Sequence, residues 1–556
     1  MTSCQRDNSI SPNDSNFETI NLKVAFAQIN PIVGDLIGNT KKILDIITLN
    51  SKNCDIIIFP EMVLTGYPAQ DLLLEAQFIK FAQNQLNEIA DSVKYCIVIL
   101  GTIRYQDNML FNTAAVIENR QIIRYVDKVF LPTYDIFDED RYFHSAIQIE
   151  PVNIEINGEK INIGVHICED LWDSKYDINV LQNLVEKGAN LFINLSASPF
   201  SLNRLEDRIE IVKTKVNQYK KPFIYCNLVG GQDELVFDGQ SFGINSKGDL
   251  IHVCASFKES FEIIDLKNEN KAKLISMPEN EQLFSAISLG LKDYFYKTGH
   301  QKAVLGLSGG IDSALTCAIA VKSLGSKNVH GFALPSKFSS KHSINDAEKL
   351  AKNFGINFSK ISINNIHSQF LDSLSNDIDV RTSSVAMENL QARIRGNMLM
   401  TISNQINALL LNTSNKTEIA LGYSTLYGDM CGAIGVISDL NKSQVYSLSK
   451  WINNHFGEEL IPVNSITKQP SAELKPNQTD PFNYDEISPM VESVIIENKH
   501  LHQLVKQGYD KDDVLDVLRK IRLSEFKRKQ APIGIRVSLK SFGSGRRYPI
   551  INQFKG

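Results

Sequence analysis

Ala303-Val304-Leu305-Gly306-Leu307-Ser308-Gly309-Gly310-Ile311-Asp312-Ser313 is an apolar run that breaks into a glycine turn and resumes as a helical pattern from Ser313. A strand, tight turn and helix in that order is the unit from which parallel sheets are wound. Glycines let the backbone approach an anion closely, and the unbonded N–H groups of a helix start point at it. The stretch Gly306, Leu307, Ser308, Gly309, Gly310, Ile311, Asp312, Ser313 therefore reads as a phosphate-binding loop, with the Ser308 and Ser313 hydroxyls as further donors. Asp312 would repel a phosphate unless a cation lay between them, which implies magnesium. No lysine follows the glycines, so the loop is not a Walker A motif.

Outward from this loop the alternation continues. A helical pattern runs to about Thr298, a strand spans Ala303–Leu307, and Val329–Leu334 and Phe358–Ile363 read as further buried strands. The pattern predicts a doubly wound parallel sheet, whose ligand sits beyond the C-terminal ends of the strands. Upstream, residues 266–280 are charged and rich in Asn and Lys, which marks a linker before a domain at 281–556. The domain before it, 20–265, alternates short apolar runs with helical patterns. Its strands are expected at Val24–Gln28, Ile56–Phe59, Ile97–Gly101, Ile161–Ile167, Leu191–Leu195 and Phe223–Asn227. Thr113–Glu118 and Ile122–Asp127 read as a hairpin turning at Asn119 and Arg120, and Asn203–Tyr219 as an amphipathic helix. The fold class is α/β with a substantial antiparallel contribution.

Length and composition agree. A chain of 556 residues exceeds what one hydrophobic core organises. The net charge of −5 argues against a broad face for nucleic acid. No apolar stretch nears the roughly 20 residues that cross a bilayer, so no membrane partner is expected. Residues 1–16 are polar and lack the apolar centre of a secretory signal, and 1–19 are expected to be a disordered tail. The eight cysteines are scattered without a CxxC pair, which indicates neither a zinc site nor a disulfide framework. Reduced thiols in a cytoplasmic setting fit that usage.

Three residues carry the chemistry of the first domain. Glu61 follows the strand Ile56–Phe59, Lys128 follows the strand ending at Asp127, and Cys168 ends the strand Ile161–Ile167. Each reactive side chain thus stands just past a buried strand, where α/β enzymes place functional groups. Such a set can hydrolyse an amide, with Glu61 as general base, Cys168 as nucleophile and Lys128 steadying the oxyanion. A neighbouring ammonium is also expected to favour the Cys168 thiolate.

The local sequences FPEMVLTGYP, DKVFLP and GVHICEDLW, around Glu61, Lys128 and Cys168, together resemble the nitrilase, or carbon–nitrogen hydrolase, superfamily. That resemblance implies an αββα sandwich. It makes Glu139 a second active-site glutamate and assigns glutamine binding to Tyr134, Ser198, Arg204 and Glu169, the amide of Glu169 completing the oxyanion hole. Arg204 suits that role independently, since a carboxylate calls for a guanidinium fork.

The SGGIDS string resembles the pyrophosphate loop of the ATP pyrophosphatase superfamily, whose members include NAD, GMP and asparagine synthetases and tRNA-thiolating enzymes. The loop alone does not choose among them. ENLQARIR at 388–395, NTSNKTE at 412–418, GYSTLYGD at 422–429, PSAEL at 470–474 and FKRKQ at 526–530 resemble the NAD synthetase family. The resemblance implies an adenine nucleotide α-hydrolase-like domain that takes ATP. It assigns Thr413 and Lys442 to ATP, Asn389, Glu418, Asp429 and Lys527 to deamido-NAD, and Asp312 with Glu418 to magnesium. Ser414 and Ala433 stand where glycine is common in that pattern, and both are small.

Together the two resemblances imply ammonia freed from glutamine, carried along a shielded path, and used to amidate an adenylated deamido-NAD, in a homo-oligomer. The loop Ser336–Ser343 is the candidate for closing over ATP. Two other readings use the same residues. A GMP synthetase shares the loop, but its glutaminase normally relies on a Cys–His–Glu triad. An amidase with a nucleotide-sensing second domain would have no need of both Asp312 and Glu418.

Overall fold

Runs such as Ile56-Ile57-Ile58 and Leu191-Phe192-Ile193-Asn194-Leu195 carry apolar side chains on both faces, and the fold buries both faces. The computed structural model describes residues 20–156, 158–267, 270–374, 377–378, 384–476 and 478–554, so the tail expected at 1–19 lies outside the described residues. In chain order the first domain contains strands β1 (Lys23–Gln28), β2 (Ile56–Ile58), β3 (Ile97–Gln106), β4 (Met109–Glu118), β5 (Gln121–Asp127), β6 (Val152–Ile156) and β7 (Glu159–Ile167). They are followed by β8 (Leu191–Ser196), β9 (Phe223–Asn227), β10 (Val229–Gln232), β11 (Leu235–Asp238), β12 (Phe242–Ile244), β13 (Leu250–Val253) and β14 (Ser260–Asp265). Its helices are α1 (Leu36–Asn50), α2 (Ala76–Ser92), α3 (Val180–Glu186) and α4 (Arg204–Tyr219).

One sheet has the order β14-β1-β2-β3-β4-β5 and the other β13-β12-β9-β8-β7-β6. Each is parallel in its middle, β1-β2-β3 and β9-β8-β7, and antiparallel at its edges. Val24, Phe26, Ile56, Ile58 and Ile99 of the first sheet pack face to face on Ile163, Val165, Ile167, Ile193 and Leu195 of the second. Helices α1 and α2 cover the outer face of the first sheet, and α3 and α4 that of the second. The domain is thus an α-β-β-α sandwich. The strand alternation brings the C-terminal ends of β2, β7 and β8 together at one rim.

The second domain holds α5 (Glu279–Lys297), α6 (Ile311–Leu324), α7 (Lys341–Phe354), α8 (Asn364–Leu374), α9 (Ser384–Gln405), α10 (Lys416–Leu421) and α11 (Lys442–Phe456). Its strands are β15 (Lys302–Gly306), β16 (Val329–Ala333), β17 (Asn357–Lys360), β18 (Ala408–Asn412), β19 (Ile434–Gly435) and β20 (Ile533–Gly534). They form a fully parallel sheet in the order β17-β16-β15-β18-β19-β20. The chain winds outward from β15 to β17 and then returns to β18 on the other side, so the order reverses between β15 and β18.

Two expectations change in detail. The strand expected as buried at Phe358–Ile363 is β17, an edge strand with Asn357, Ser359 and Lys360 exposed, because it has a partner on one side only. Helix α6 begins at Ile311 rather than Ser313, so Asp312 and Ser313 sit in its first turn.

Helix α5 joins the domains. Phe200 and Val236 of the sandwich lie in the same apolar cluster as Leu283, Phe284, Ile287 and Leu291 of α5. Asp293 accepts hydrogen bonds from Asn30 Nδ2 and from the backbone amide of Gly231, both at 2.7 Å. Lys297 donates to Asn30 Oδ1 (2.7 Å) and to the carbonyls of Pro31 (2.9 Å) and Gly231 (2.8 Å). Among the described residues no helix is long and apolar enough to cross a membrane.

Candidate active sites

Glu61 reaches the rim on the loop after β2. That loop crosses β3 at Gly101, where a Cβ would stand 2.4 Å from Met62 N and from Pro60 O, so only glycine lets it pass. Lys128 follows β5, and Cys168 follows β7 at φ 43°, a left-handed conformation uncommon outside glycine. The turn so formed is a single 3-10 turn over Cys168–Leu171, whose first amides have no partner within the turn itself.

These residues converge. Lys128 Nζ lies 2.7 Å from Glu61 Oε1 and 2.8 Å from Glu139 Oε1, with all three side chains nearly inaccessible to solvent. Tyr67 OH donates to Glu139 (2.8 Å), Asn112 Nδ2 to Glu61 (2.8 Å), and the amide of Ala197, just past β8, to the other Glu61 oxygen (2.8 Å). Burial alone would discharge Lys128, but Glu139 and Glu61 outweigh it and hold the ammonium well above its usual range. Burial raises the Glu139 carboxyl, opposed by Lys128.

Lys128 favours the Cys168 thiolate as expected, but other groups outweigh it. Burial, then the Glu61 charge, push the Cys168 thiol well up, and Lys128 only partly offsets them. A thiolate there would be a further buried anion beside Glu61 and Glu139.

Asp170 was not singled out from sequence. It is buried and accepts from the amides of Val129 (3.0 Å), Phe130 (2.8 Å) and Ile167 (3.0 Å), tying the backbone that carries Lys128 to the one that carries Cys168. Two acids directly after a cysteine at a buried strand end were the available signal.

The residues expected to hold glutamine surround this cluster. Tyr134 OH donates to the Glu169 carboxylate at 2.9 Å, and Tyr176 OH to the same group at 3.1 Å. Arg204 stacks its guanidinium 4.4 Å over the Trp172 ring and meets Asp207 only at 3.7 Å, which leaves its fork open to an anion. Burial and then the neighbouring Arg208 lower the Arg204 pKa. Ser198 is braced by Arg208, whose Nε donates to the Ser198 hydroxyl (3.2 Å) and whose Nη1 pairs with Asp238 (2.9 Å). Arg208 lies one helical turn after Arg204, and its buried ion pair is a second feature the sequence reading missed.

The second site lies at the reversal between β15 and β18, where the topology predicts it. A cavity of about 310 Å³ opens there, lined by the Gly306–Ser313 loop, Thr413, Glu418, Asp429, Lys442 and Arg395. Gly309 has φ 75° and a Cβ there would stand 2.1 Å from Ser343 O, so the loop tolerates no side chain at that point. Ser308 and Ser313 hold each other through their hydroxyls at 3.2 Å. Lys442 Nζ binds Asp312 Oδ2 at 2.6 Å and Glu418 Oε1 at 3.3 Å, and Asn415 donates to the other Asp312 oxygen (2.9 Å). Burial pushes Glu418 up to about 8 against the pull of Lys442, with the Asp312 charge adding to the rise.

Asn389 and Lys527 stand behind the lining loop rather than in it. Asn389 accepts from Thr425 (2.8 Å), and Lys527 donates to the carbonyls of Gly422 (2.8 Å) and Ser424 (2.6 Å). The motif at 388–395, expected to open a helix, begins inside α9, which starts at Ser384. Arg395, quoted within that motif but given no role, faces the cavity and donates to Leu334 O (2.9 Å). Of the segment expected as a loop at 336–343, residues 341–343 instead open α7; Ser340, its N-cap, and Ser343 bond Glu473 at 2.9 and 2.6 Å.

The family model for carbon–nitrogen hydrolase matches residues 23–274, and that for NAD synthase matches 283–531. A glutamine-dependent NAD(+) synthetase of Synechocystis sp. is 40% identical over 96% of this chain and 99% of its own length. The Thermotoga maritima protein of that name is 37% identical, also over 96% of this chain and 99% of its own length. The solved structure of glutamine-dependent NAD+ synthetase from Acinetobacter baumannii, in complex with ADP, superposes with a TM-score of 0.76 at 34% identity, covering 96% of this chain and 99% of that one. A glutamine-dependent NAD(+) synthetase from Cytophaga hutchinsonii shares the fold, with a TM-score of 0.82 at 23% identity over 96% of this chain and 98% of that one.

Proposed function

The chain belongs to the glutamine-dependent NAD(+) synthetases, carbon–nitrogen ligases of NAD biosynthesis, and on that premise we propose a reaction divided between its two sites. Cys168 attacks the side-chain carbonyl of glutamine while Glu61 takes the thiol proton. The developing oxyanion is held by Lys128 and the amide of Glu169. Glu61 returns the proton to the departing nitrogen, ammonia leaves, and water then cleaves the glutamyl thioester to glutamate. The open Arg204 fork suits the substrate carboxylate, and the Glu169 carboxylate with Tyr134 and Ser198 suits its ammonium. Because Cys168 rests as a neutral thiol, Glu61 is needed as a base and not only as an electrostatic support.

In the second domain the nicotinate carboxylate of deamido-NAD attacks the α-phosphate of ATP and pyrophosphate leaves into the Gly306–Ser313 loop. Ammonia adds to the resulting carboxyl–AMP anhydride and AMP departs, giving NAD. Thr413 and Lys442 serve ATP, while Asp429, with the loop that Asn389 and Lys527 brace, faces the dinucleotide. Asp312 and Glu418 fit a magnesium ion: both are oxygen donors, and they already share a buried cation, Lys442. Magnesium there would supply charge neutralisation for the triphosphate.

The observation that carries this reading is the presence, in one chain, of the Glu61–Lys128–Glu139 cluster at Cys168 and of a cavity on the SGGIDS loop, joined by α5. A shielded ammonia path, a homo-oligomer and a cytoplasmic setting belong to the same proposal. The free state of all seven described cysteines supports that setting. The test is NAD formation from deamido-NAD, ATP and magnesium by the parent protein and by Cys168→Ala, each given glutamine or ammonium. The variant is expected to lose only the glutamine reaction. No NAD from either source with the parent protein would overturn the substrate assignment.

A further inference from the structure

At the open edge of the sandwich, β13 ends one sheet and β14 ends the other. His252 of β13, Cys254 just beyond it and Glu262 of β14 bring a ring nitrogen, a sulfur and a carboxylate oxygen within 4.8 Å of one another. Three features separate this cluster from a casual meeting of side chains. Cys254 is buried in the apolar layer between the sheets, yet its sulfur lies beside the His252 ring nitrogen and the Glu262 carboxylate. His252 Nε2 pairs with Glu262 Oε2 at 2.8 Å, and the buried Ser260 hydroxyl faces the Cys254 sulfur, so four donor-type groups meet at one point. The imidazole is also held in place, stacked on Phe26 of β1 at 5.8 Å.

We propose that His252, Cys254 and Glu262 form a zinc-binding site that staples the two sheets at their shared edge. One nitrogen, one sulfur and one oxygen are a zinc donor set, and such sets complete four-coordination with water or a hydroxyl, here that of Ser260. The site has no part in either half-reaction. The sequence argued against zinc because its cysteines lack paired spacing. The ligands instead come from two strands that the sandwich brings together, which no CxxC pattern can register.

Burial raises the Cys254 thiol when no metal is bound, so metal binding must release a proton. The test uses full-length protein stripped with a chelator and titrated with cobalt(II), whose thiolate charge-transfer band reports a bound sulfur, followed by displacement with zinc. One equivalent per chain is expected, with the band lost in Cys254→Ser and retained in Cys168→Ala. If Cys254→Ser fails to fold, the half-exposed Glu262→Gln replaces it. Its affinity should fall at least about 100-fold, beyond the 10–100-fold that losing an outer-shell partner costs. The melting temperature of the parent protein should rise with zinc, and that of the variants should not. No charge-transfer band in the parent protein, or an undiminished one in Cys254→Ser or Glu262→Gln, overturns the proposal.

Discussion

Asp170 should control the glutamine half-reaction without touching glutamine. Its Oδ1 accepts from Val129 and Phe130 and its Oδ2 from Ile167, so one carboxylate holds both loops of the active site. Asp170→Asn can keep the first pair but turns an NH₂ toward the Ile167 amide, leaving one buried donor unsatisfied at a cost of about 1–3 kcal/mol. Asp170→Ala orphans three amides, or about 3–9 kcal/mol by the same measure, and is expected to be too unstable to interpret. In the Asn variant Lys128 and Cys168 lose their common anchor, and a displacement near 1 Å between reacting groups costs about 100-fold in rate. Glutamate release should therefore fall about 100-fold while ammonium-dependent NAD formation stays within twofold of the parent.

The same residue sets a pH dependence. Burial drives Asp170 up to about 7 despite its three amide bonds. Below that pH a protonated oxygen replaces an acceptor, so glutamate release should decline as pH falls through about 7. Stability moves the other way on this group's account. Between about 3.9, its value in an unfolded chain, and 7 the folded protein holds a proton that the unfolded chain lacks, so its contribution shrinks as pH rises through that window. An acid loss of activity cannot then be assigned to unfolding driven by Asp170. A variant Asp170→Asn that releases glutamate at the parent rate, with the parent's acid limb, would refute this reasoning.

Gly309→Ala places a Cβ 2.1 Å from Ser343 O at φ 75°, so pyrophosphate release should vanish while glutamate release persists; normal ATP turnover would show that the loop is not the phosphate cradle. Lys442→Met leaves Asp312 and Glu418 without their shared cation, which should destabilise the fold by about 3–5 kcal/mol, with magnesium restoring most of it. A melting temperature blind to magnesium would count against the metal assignment. Asp293→Ala removes the acceptor of the Gly231 amide and the Asn30 amide, loosening the domain junction by roughly 2–6 kcal/mol. More ammonia should then reach an external trap per NAD formed, and an unchanged ratio would exclude this junction from coupling.

What the sequence shows and what it hides divide along one physical line. The Gly306–Ser313 loop was legible because an anion cradle is built from consecutive residues, and glycine at position 309 is required by the local backbone as well as by Ser343. Glu61, Lys128 and Cys168 were legible because each directly follows an apolar strand, and strand ends converge in an α/β sandwich. Their support was not. Glu61 is held by Ala197 from 136 positions away, and Asp170 binds Phe130 from 40. Nothing in the periodicity of one segment reports a partner in another. β17 was misjudged for a related reason: apolar content marks a strand, but whether it is central or at an edge depends on neighbours it meets only after folding.

The balance of charges at Cys168 has the same origin and the largest consequence. Reading Lys128 beside Cys168 counts one charge, whereas the folded site adds Glu61, Glu139 and burial, and the balance reverses. A permanently ionised Cys168 would leave Glu61 no proton to take in the first step. With a neutral thiol the proton has to move as the carbon–sulfur bond forms, and the carboxylate that receives it must be fixed in advance. Glu61 meets that demand through Lys128, Asn112 and the Ala197 amide, which occupy its oxygens from three directions. The buried cation therefore has two tasks, holding the base in place and meeting the oxyanion, and a lysine between two glutamates stays charged through both.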